Sequence, residues 1–205
     1  MSRTPRITGI VLAAGSGRRM GQTKQLLPFR GQTLLECVVD NASASTLDRV
    51  IVVLGFRAEA LAHLFAEKDI TVVVNPSYES GQSSSLKVGL QAATHEADAV
   101  LFLLGDQPLV TPETINRIIS DYERFPHSHV VVPVFEGKRG NPALFSRETF
   151  TRIESLSGDC GARVLFAEYA GHILEVAVND RSIHMDIDTE EDYRRLLEWE
   201  HTLHC

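Results

Sequence analysis

Uninterrupted apolar runs are short in this 205-residue chain, and the longest, such as Val100–Leu104, fall far below the roughly 20 residues that cross a bilayer. Cysteine is scarce. Cys37, Cys160 and Cys205 make neither a metal-ligand spacing nor a disulfide framework, which suits a reducing cytoplasm. Positive charge is in the minority, 20 Lys and Arg against 27 Asp and Glu, for a formal net charge of −7. That balance excludes the basic face of a broad nucleic-acid binder, so a site for a polyanion must gather its few cations in one place. Repeats, low-complexity tracts and linker-like segments are also missing, and one domain over residues 1–205 is expected. With 43% apolar and 23% charged residues, the chain buries a substantial core and disorder describes it poorly. Arg3 and Arg6 ahead of Ile10–Ala14 imitate a signal peptide, but the apolar stretch is too short and runs into Arg18 and Arg19, so it reads as a buried strand.

What is present is an alternation of two periods. Ile7–Ala13, Val50–Leu54, Ile70–Val74, Val100–Leu104 and Val130–Val134 are nearly continuous apolar runs, each expected as a strand buried on both faces of a parallel sheet. Helical patterns lie between them at Leu34–Ala44, Ala58–Ala66, Ser83–Ala93 and Pro112–Tyr122, the last opened by Thr111 as N-cap and Pro112 at the first helical position. After Val134 the rhythm breaks into glycine turns, a strand at Ile173–Val178 and a closing helix from Thr189 to Glu200. The alternation predicts an α/β sandwich with right-handed crossovers, whose ligands sit beyond the carboxyl ends of the strands.

Three segments at those ends carry unusual chemistry. After the first strand comes Leu12-Ala13-Ala14-Gly15-Ser16-Gly17-Arg18-Arg19-Met20-Gly21-Gln22-Thr23-Lys24. Small residues let backbone amides approach phosphates, and Arg18, Arg19 and Lys24 supply countercharge. The glycine spacing misses the dinucleotide fingerprint by one residue, and Lys24 lies too far along for a Walker A loop. An ordinary glycine turn with surface cations is the competing reading. Asn75-Pro76 ends the third strand and Gly81-Gln82-Ser83-Ser84-Ser85 opens the next helix, offering amides, hydroxyls and a positive dipole end, or else a plain N-cap at Ser83. Asp106, just past Val100–Leu104, stands where a hard oxygen ligand holds Mg²⁺, which uses one or two carboxylates plus phosphate oxygens. Asp186 and Asp188, two apart in extended chain, point to one side, although capping of the last helix is the alternative for Asp188-Thr189.

Taken together, these segments resemble the molybdenum cofactor nucleotidyltransferases, and the cytidylyltransferase branch in particular. Leu12–Gly15, Arg19-Met20-Gly21, Lys24 and Leu26-Leu27 are similar to that family's opening motif, with the serine displaced to Ser16 beside Gly17. Asn75 through Leu86, Gly105-Asp106-Gln107-Pro108, Leu156 through Arg163 and Asp186-Ile187-Asp188-Thr189 match its later motifs, the similarity running from Ile10 to about Leu197. The resemblance implies a single-domain, Rossmann-like three-layer sandwich with a mostly parallel sheet, of the nucleotide-diphospho-sugar transferase type. It implies that Arg19, Lys24 and Asp106 are catalytic and that the nucleotide lies against Leu12, Ala13, Ala14, Gly15, Gly17, Asn75, Gly81, Ser83 and Ser85. Asp106 would be the principal ligand of Mg²⁺, for which Mn²⁺ can substitute, with Asp188 second and Asp186 in support.

The stretch to residue 110 would then bind the NTP and residues 135–185 the acceptor, through Arg139, Asn141, Asp159 and Arg163. Asn141 departs from the family's histidine and Glu190 from its proline. The implied reaction is transfer of CMP from CTP to the molybdopterin-type molybdenum cofactor with release of pyrophosphate, in the cytoplasm, with transient contact to a client molybdoenzyme and no nucleic acid or membrane. Transfer from GTP, or to a sugar or polyol phosphate, an NAD(P)-dependent oxidoreductase, and a non-catalytic cofactor carrier remain as alternatives.

Overall fold

The structure, a computed structural model, describes residues 3–16, 20 and 23–203. The chain opens with β1 (Ile7–Ala13), passes through a 3₁₀ turn at Lys24–Leu26 and the short arms β2 (Pro28–Phe29) and β3 (Gln32–Thr33), and enters α1 (Leu34–Ser43). The alternation continues through β4 (Arg49–Leu54), α2 (Ala58–Ala62), β5 (Thr71–Val74), α3 (Gln82–Ala93), β6 (Ala99–Leu104) and α4 (Pro112–Arg124). Then follow β7 (Val130–Phe135), β8 (Lys138–Arg139), β9 (Ala143–Ser146), α5 (Phe150–Ser155), β10 (Ile173–Ala177) and α6 (Glu190–Leu203).

One mixed sheet runs in the order β10-β7-β9-β6-β1-β4-β5, with β8 paired to β7. Strands β6, β1, β4 and β5 are mutually parallel, as are β7 and β10, whereas β9 runs antiparallel to both its neighbours. Side chains alternate across each central strand and fill two cores. Val11, Val52 and Leu101 pack with Leu35, Val39 and Ile118 of α1 and α4, while Ile10, Ile51 and Phe102 pack with Leu86, Leu90 and Ile153 of α3 and α5. Burying each such aliphatic side chain contributes about 1.5–3 kcal/mol, which is why uninterrupted apolar runs become the central strands. The helices start where the capping chemistry places them: Thr33 and Glu36 form a reciprocal box on α1, and Thr111 accepts from the Thr114 amide ahead of Pro112.

The structure corrects the sequence reading in three places. The run ending at Val74 is, among the described residues, an edge strand with a partner on one side only, and Val74 is 53% exposed. The helix expected over Ala58–Ala66 is α-helical only to Ala62 and tightens into a 3₁₀ turn at His63–Phe65. Strand β9 has no counterpart among the predicted elements. Its four residues, all buried, are too few to show a period, yet they wedge between β6 and β7.

A third apolar cluster decides where α6 sits. Ile187 and Leu196 pack with Phe29, Leu34 and Leu109, carrying the segment before α6 back to the end of β6.

Candidate active site

A cleft of about 680 Å³ opens at the carboxyl ends of β1 and β6. Leu12, Ala14, Gly15 and Ser16 form its floor at the end of β1, and Lys24 and Gln25 rise from the following 3₁₀ turn. Gln25 is buried, and its amide donates to the Gly15 carbonyl at 2.9 Å, pinning the turn to the helix beside it. Sequence reasoning missed Gln25, whose type and spacing match no binding pattern. The Ala13 side chain is buried beneath the floor. Gly17 and Arg19, expected at the polyphosphate, and their neighbour Arg18 lie outside the described residues.

Asp106 leaves the end of β6, and Asp188 precedes α6. Both converge on Lys24, whose Nζ lies 2.5 Å from Asp106 Oδ2 and 2.7 Å from Asp188 Oδ1. Three hydrogen bonds hold the distant segments in this register. The Ile187 amide donates to the Asp106 carbonyl at 3.0 Å, and the buried Gln107 donates through Nε2 to Asp186 Oδ1 at 2.7 Å and to the Ile183 carbonyl at 3.3 Å. Of the pair expected to cap α6, Thr189 does so: Asp192 Oδ2 accepts from the Thr189 amide at 2.9 Å, and Thr189 Oγ1 accepts from the Asp192 amide at 3.1 Å. The Asp188 carboxylate reaches Lys24.

The electrostatics follow from this crowding. Burial pulls the Lys24 ammonium toward a lower pKa, but Asp106 first and Asp188 after it outweigh that and leave it raised. Asp186 keeps solvent contact as a residue, yet its carboxyl group is raised, by burial first and then by the neighbouring Asp106 and Asp188 charges. The Gln107 hydrogen bond and the Arg163 charge oppose that rise.

These groups fit a divalent cation that arrives with phosphates. Asp106 Oδ1 is buried and lacks a hydrogen-bond partner among the described residues, so this carboxylate has coordinating capacity to spare. Among the described residues no group of three or more His, Cys, Asp or Glu side chains forms a cage that would hold a metal by itself. A pair of carboxylates supplemented by substrate oxygens is the pattern of Mg²⁺.

The second wall belongs to the start of α3. Gly81, with φ +105°, packs so closely on Gly158 and Asp159 that a Cβ would lie 2.5 Å from their backbone atoms, a conformation and an approach open only to glycine. Ser83 Oγ donates to the Gly158 carbonyl at 2.7 Å, and the Gln82 amide donates to Asp159 Oδ1 at 3.2 Å. Part of the helix N-terminus expected to face phosphate is therefore taken up by the 158–159 turn. Asn75 sits behind the wall and donates to Ser84 and Ser85, and Ser85 reaches the cleft. Tyr78, Glu79 and Gln82 line it too, none of them given a binding role by the sequence reading.

Of the expected acceptor residues, Asp159 lines the cleft and the other three do not. Arg139 is paired with Glu175 of β10 at 2.7 Å and lies over the Phe166 ring. The Asn141 backbone N–H donates to the Ile183 carbonyl at 3.0 Å. Arg163 is exposed and acts on Asp186 through its charge.

A mostly parallel sheet with carboxylates and a lysine gathered over its first turn defines an α/β protein of the nucleotidyltransferase class. The chain belongs to the MobA-like NTP transferase family, whose model matches residues 9–173. It is 32% identical to nicotine blue oxidoreductase of Paenarthrobacter nicotinovorans, over 94% of this chain and 97% of that protein. It is 34% identical to purine catabolism protein PucB of Bacillus subtilis, over 93% and 96%, and 28% identical to molybdenum cofactor cytidylyltransferase of Escherichia coli, over 90% and 92%. Among solved structures it resembles Rv0371c of Mycobacterium tuberculosis H37Rv, 36% identical with a TM-score of 0.83 over 96% of this chain and 100% of that one. A manganese complex of Rv0371c superposes with a TM-score of 0.79, at 36% identity over 94% and 98%.

Proposed function

We propose that this nucleotidyltransferase moves CMP from CTP to the molybdopterin-type molybdenum cofactor in the cytoplasm and releases pyrophosphate. The observation that carries the reading is the convergence of Asp106 and Asp188 on Lys24 over the first turn. An oxygen of the acceptor phosphate attacks the α-phosphorus of the NTP, and the bond to the bridging oxygen of the β-phosphate breaks. The acceptor phosphate is already anionic at neutral pH, so no strong base is needed, and neither histidine nor cysteine is among the described residues lining the cleft. Positioning and charge neutralisation then supply the acceleration.

Asp106 and Asp188 would hold Mg²⁺ or Mn²⁺, with Asp186 behind them, and the bound cation would neutralise polyphosphate charge. Lys24 and Arg19 bind the triphosphate oxygens, and the Leu12–Gly15 backbone, with Gly81 and Ser85, borders the base and ribose. The chain up to about residue 110 serves the nucleotide, while residues 135–185 border the acceptor through Asp159, with Arg163 outside the cleft contributing its charge. The E. coli relative's name and the Leu12-Ala13-Ala14-Gly15 opening support the choice of CTP and of this acceptor. Contact with a client molybdoenzyme belongs to the same reading. Nucleic acid does not, given the net charge of −7.

The test is pyrophosphate release from each of the four NTPs with Mg²⁺ or Mn²⁺, with and without molybdenum cofactor and with sugar and polyol phosphates as rival acceptors. Release dependent on CTP and the cofactor is expected. Release with GTP or another acceptor would reassign the substrates, and no release under any condition would remove the transferase reading. A second reading, an oxidoreductase, is favoured by the relative named nicotine blue oxidoreductase. Binding of a nicotinamide nucleotide without pyrophosphate release would select it.

A further inference from the structure

The Lys24 ammonium stands between two carboxylates that lie 82 and 164 residues from it along the chain, and its side chain is only 12% exposed. Asp106 and Asp188 repel each other, and the lysine charge offsets that repulsion. The ammonium uses only one oxygen of Asp106. The other, Oδ1, is buried without a hydrogen-bond partner among the described residues, so the carboxylate offers more than a lysine takes up. A divalent ion and an ammonium drawn to the same pair of carboxylates repel each other at close range, so each weakens the other's hold.

We infer that Lys24 is an internal counterion holding the place of the divalent cation, and that the two compete for Asp106 and Asp188. This rests on the proposed reading of those aspartates as cation ligands. The cation enters as the ammonium leaves, and the triphosphate gives the displaced ammonium a new anionic partner. The consequence is reciprocal coupling: the bare cation binds weakly, and cation and nucleotide each tighten the other's binding. The lysine thus keeps the site from loading metal before substrate.

The probe is Mn²⁺ alone, without nucleotide, titrated into the full chain and followed by the electron paramagnetic resonance of the unbound ion. Lys24→Met is expected to bind Mn²⁺ at least about tenfold more tightly than the native protein, since two charge-assisted contacts no longer oppose the ion. Adding Asp106→Asn to Lys24→Met is expected to abolish that gain. Equal affinity of native protein and Lys24→Met, with Asp106→Asn still weakening binding, overturns the competition but leaves the metal ligands in place. If Asp106→Asn changes Mn²⁺ affinity in neither background, the ligand reading itself falls and the inference with it. Should Lys24→Met not fold, amine acetylation of the native protein decides by mass spectrometry. Labelling of Lys24 is expected to rise several-fold with Mg²⁺, and unchanged labelling at Mg²⁺ levels that occupy the site refutes the exchange.

Discussion

Replacing Gln107 by leucine removes two donors while keeping the volume of a side chain that is 3% exposed. The Ile183 carbonyl and Asp186 Oδ1 lose their 3.3 Å and 2.7 Å contacts. The Ile183 carbonyl keeps the Asn141 backbone amide at 3.0 Å and Asp186 keeps solvent access, so neither acceptor is stranded and each lost hydrogen bond counts about 0.5–1.5 kcal/mol. The expected loss is therefore about 1–3 kcal/mol, or roughly 2–10 °C in Tm for a chain of this size. Activity should fall further than stability suggests. The 183–188 segment would keep its Ile187 amide bond to Asp106 but lose the contact that orients Asp186, and such supporting contacts are worth about 10–100-fold in metal affinity or turnover.

The pH dependence supplies an internal check. Asp186 already titrates above the ordinary aspartate value, and losing the Gln107 donor raises it further. A carboxyl raised in the folded state binds its proton more tightly there than in the unfolded chain, so stability falls as pH rises from the unfolded value to the raised folded one. The deficit of Gln107→Leu should hence be largest at neutral pH and shrink on acidification through the carboxylate range. Chemical denaturation at several pH values, paired with pyrophosphate release at neutral pH, measures both effects. Native-like melting together with turnover within twofold of native would show that Gln107 does not hold the Asp186–Asp188 segment in register.

Two further substitutions probe the other walls. Asp106→Asn keeps the shape of the side chain but removes its charge, and should lower kcat at least about 10²–10³-fold with a melting temperature within a few degrees of native; near-normal turnover with Mg²⁺ would contradict its place in the site. Gly81→Ala places a Cβ against the 158–159 backbone at φ +105°, and should cost on the order of 1–3 kcal/mol in denaturant unfolding or open the 157–161 turn to proteolysis, whereas an unchanged midpoint and cleavage pattern would show that the close packing there carries no weight.

The alternation of apolar runs with helical patterns was legible because it is local. Two-sided burial produces continuous Val, Ile and Leu runs such as Val50–Leu54, and Thr111 and Pro112 mark a helix start through contacts within one turn. Asp106 could be singled out for the same reason, since it follows directly on a strand whose direction a parallel sheet dictates. Other features depend on residues that meet only in the folded chain. Strand β9 is four residues long and takes its identity from the gap between β6 and β7, where antiparallel pairing satisfies both edges. Arg139 has a sequence setting that suggests an anion anchor, yet Glu175 on the neighbouring edge strand holds it.

The sharpest division runs through the cleft itself. The types of residue that could serve a nucleotide and a cation, aspartates after apolar strands and a lysine after a glycine turn, stand in the linear order of the chain. Their meeting does not. Lys24 is 82 residues from Asp106 and 164 from Asp188, and no periodicity spans such distances. Burial of Ile187 and Leu196 against Phe29 and Leu34, together with the reach of Gln107 to Asp186, draws them to one point, because packing and hydrogen-bond satisfaction act on proximity in space rather than in sequence.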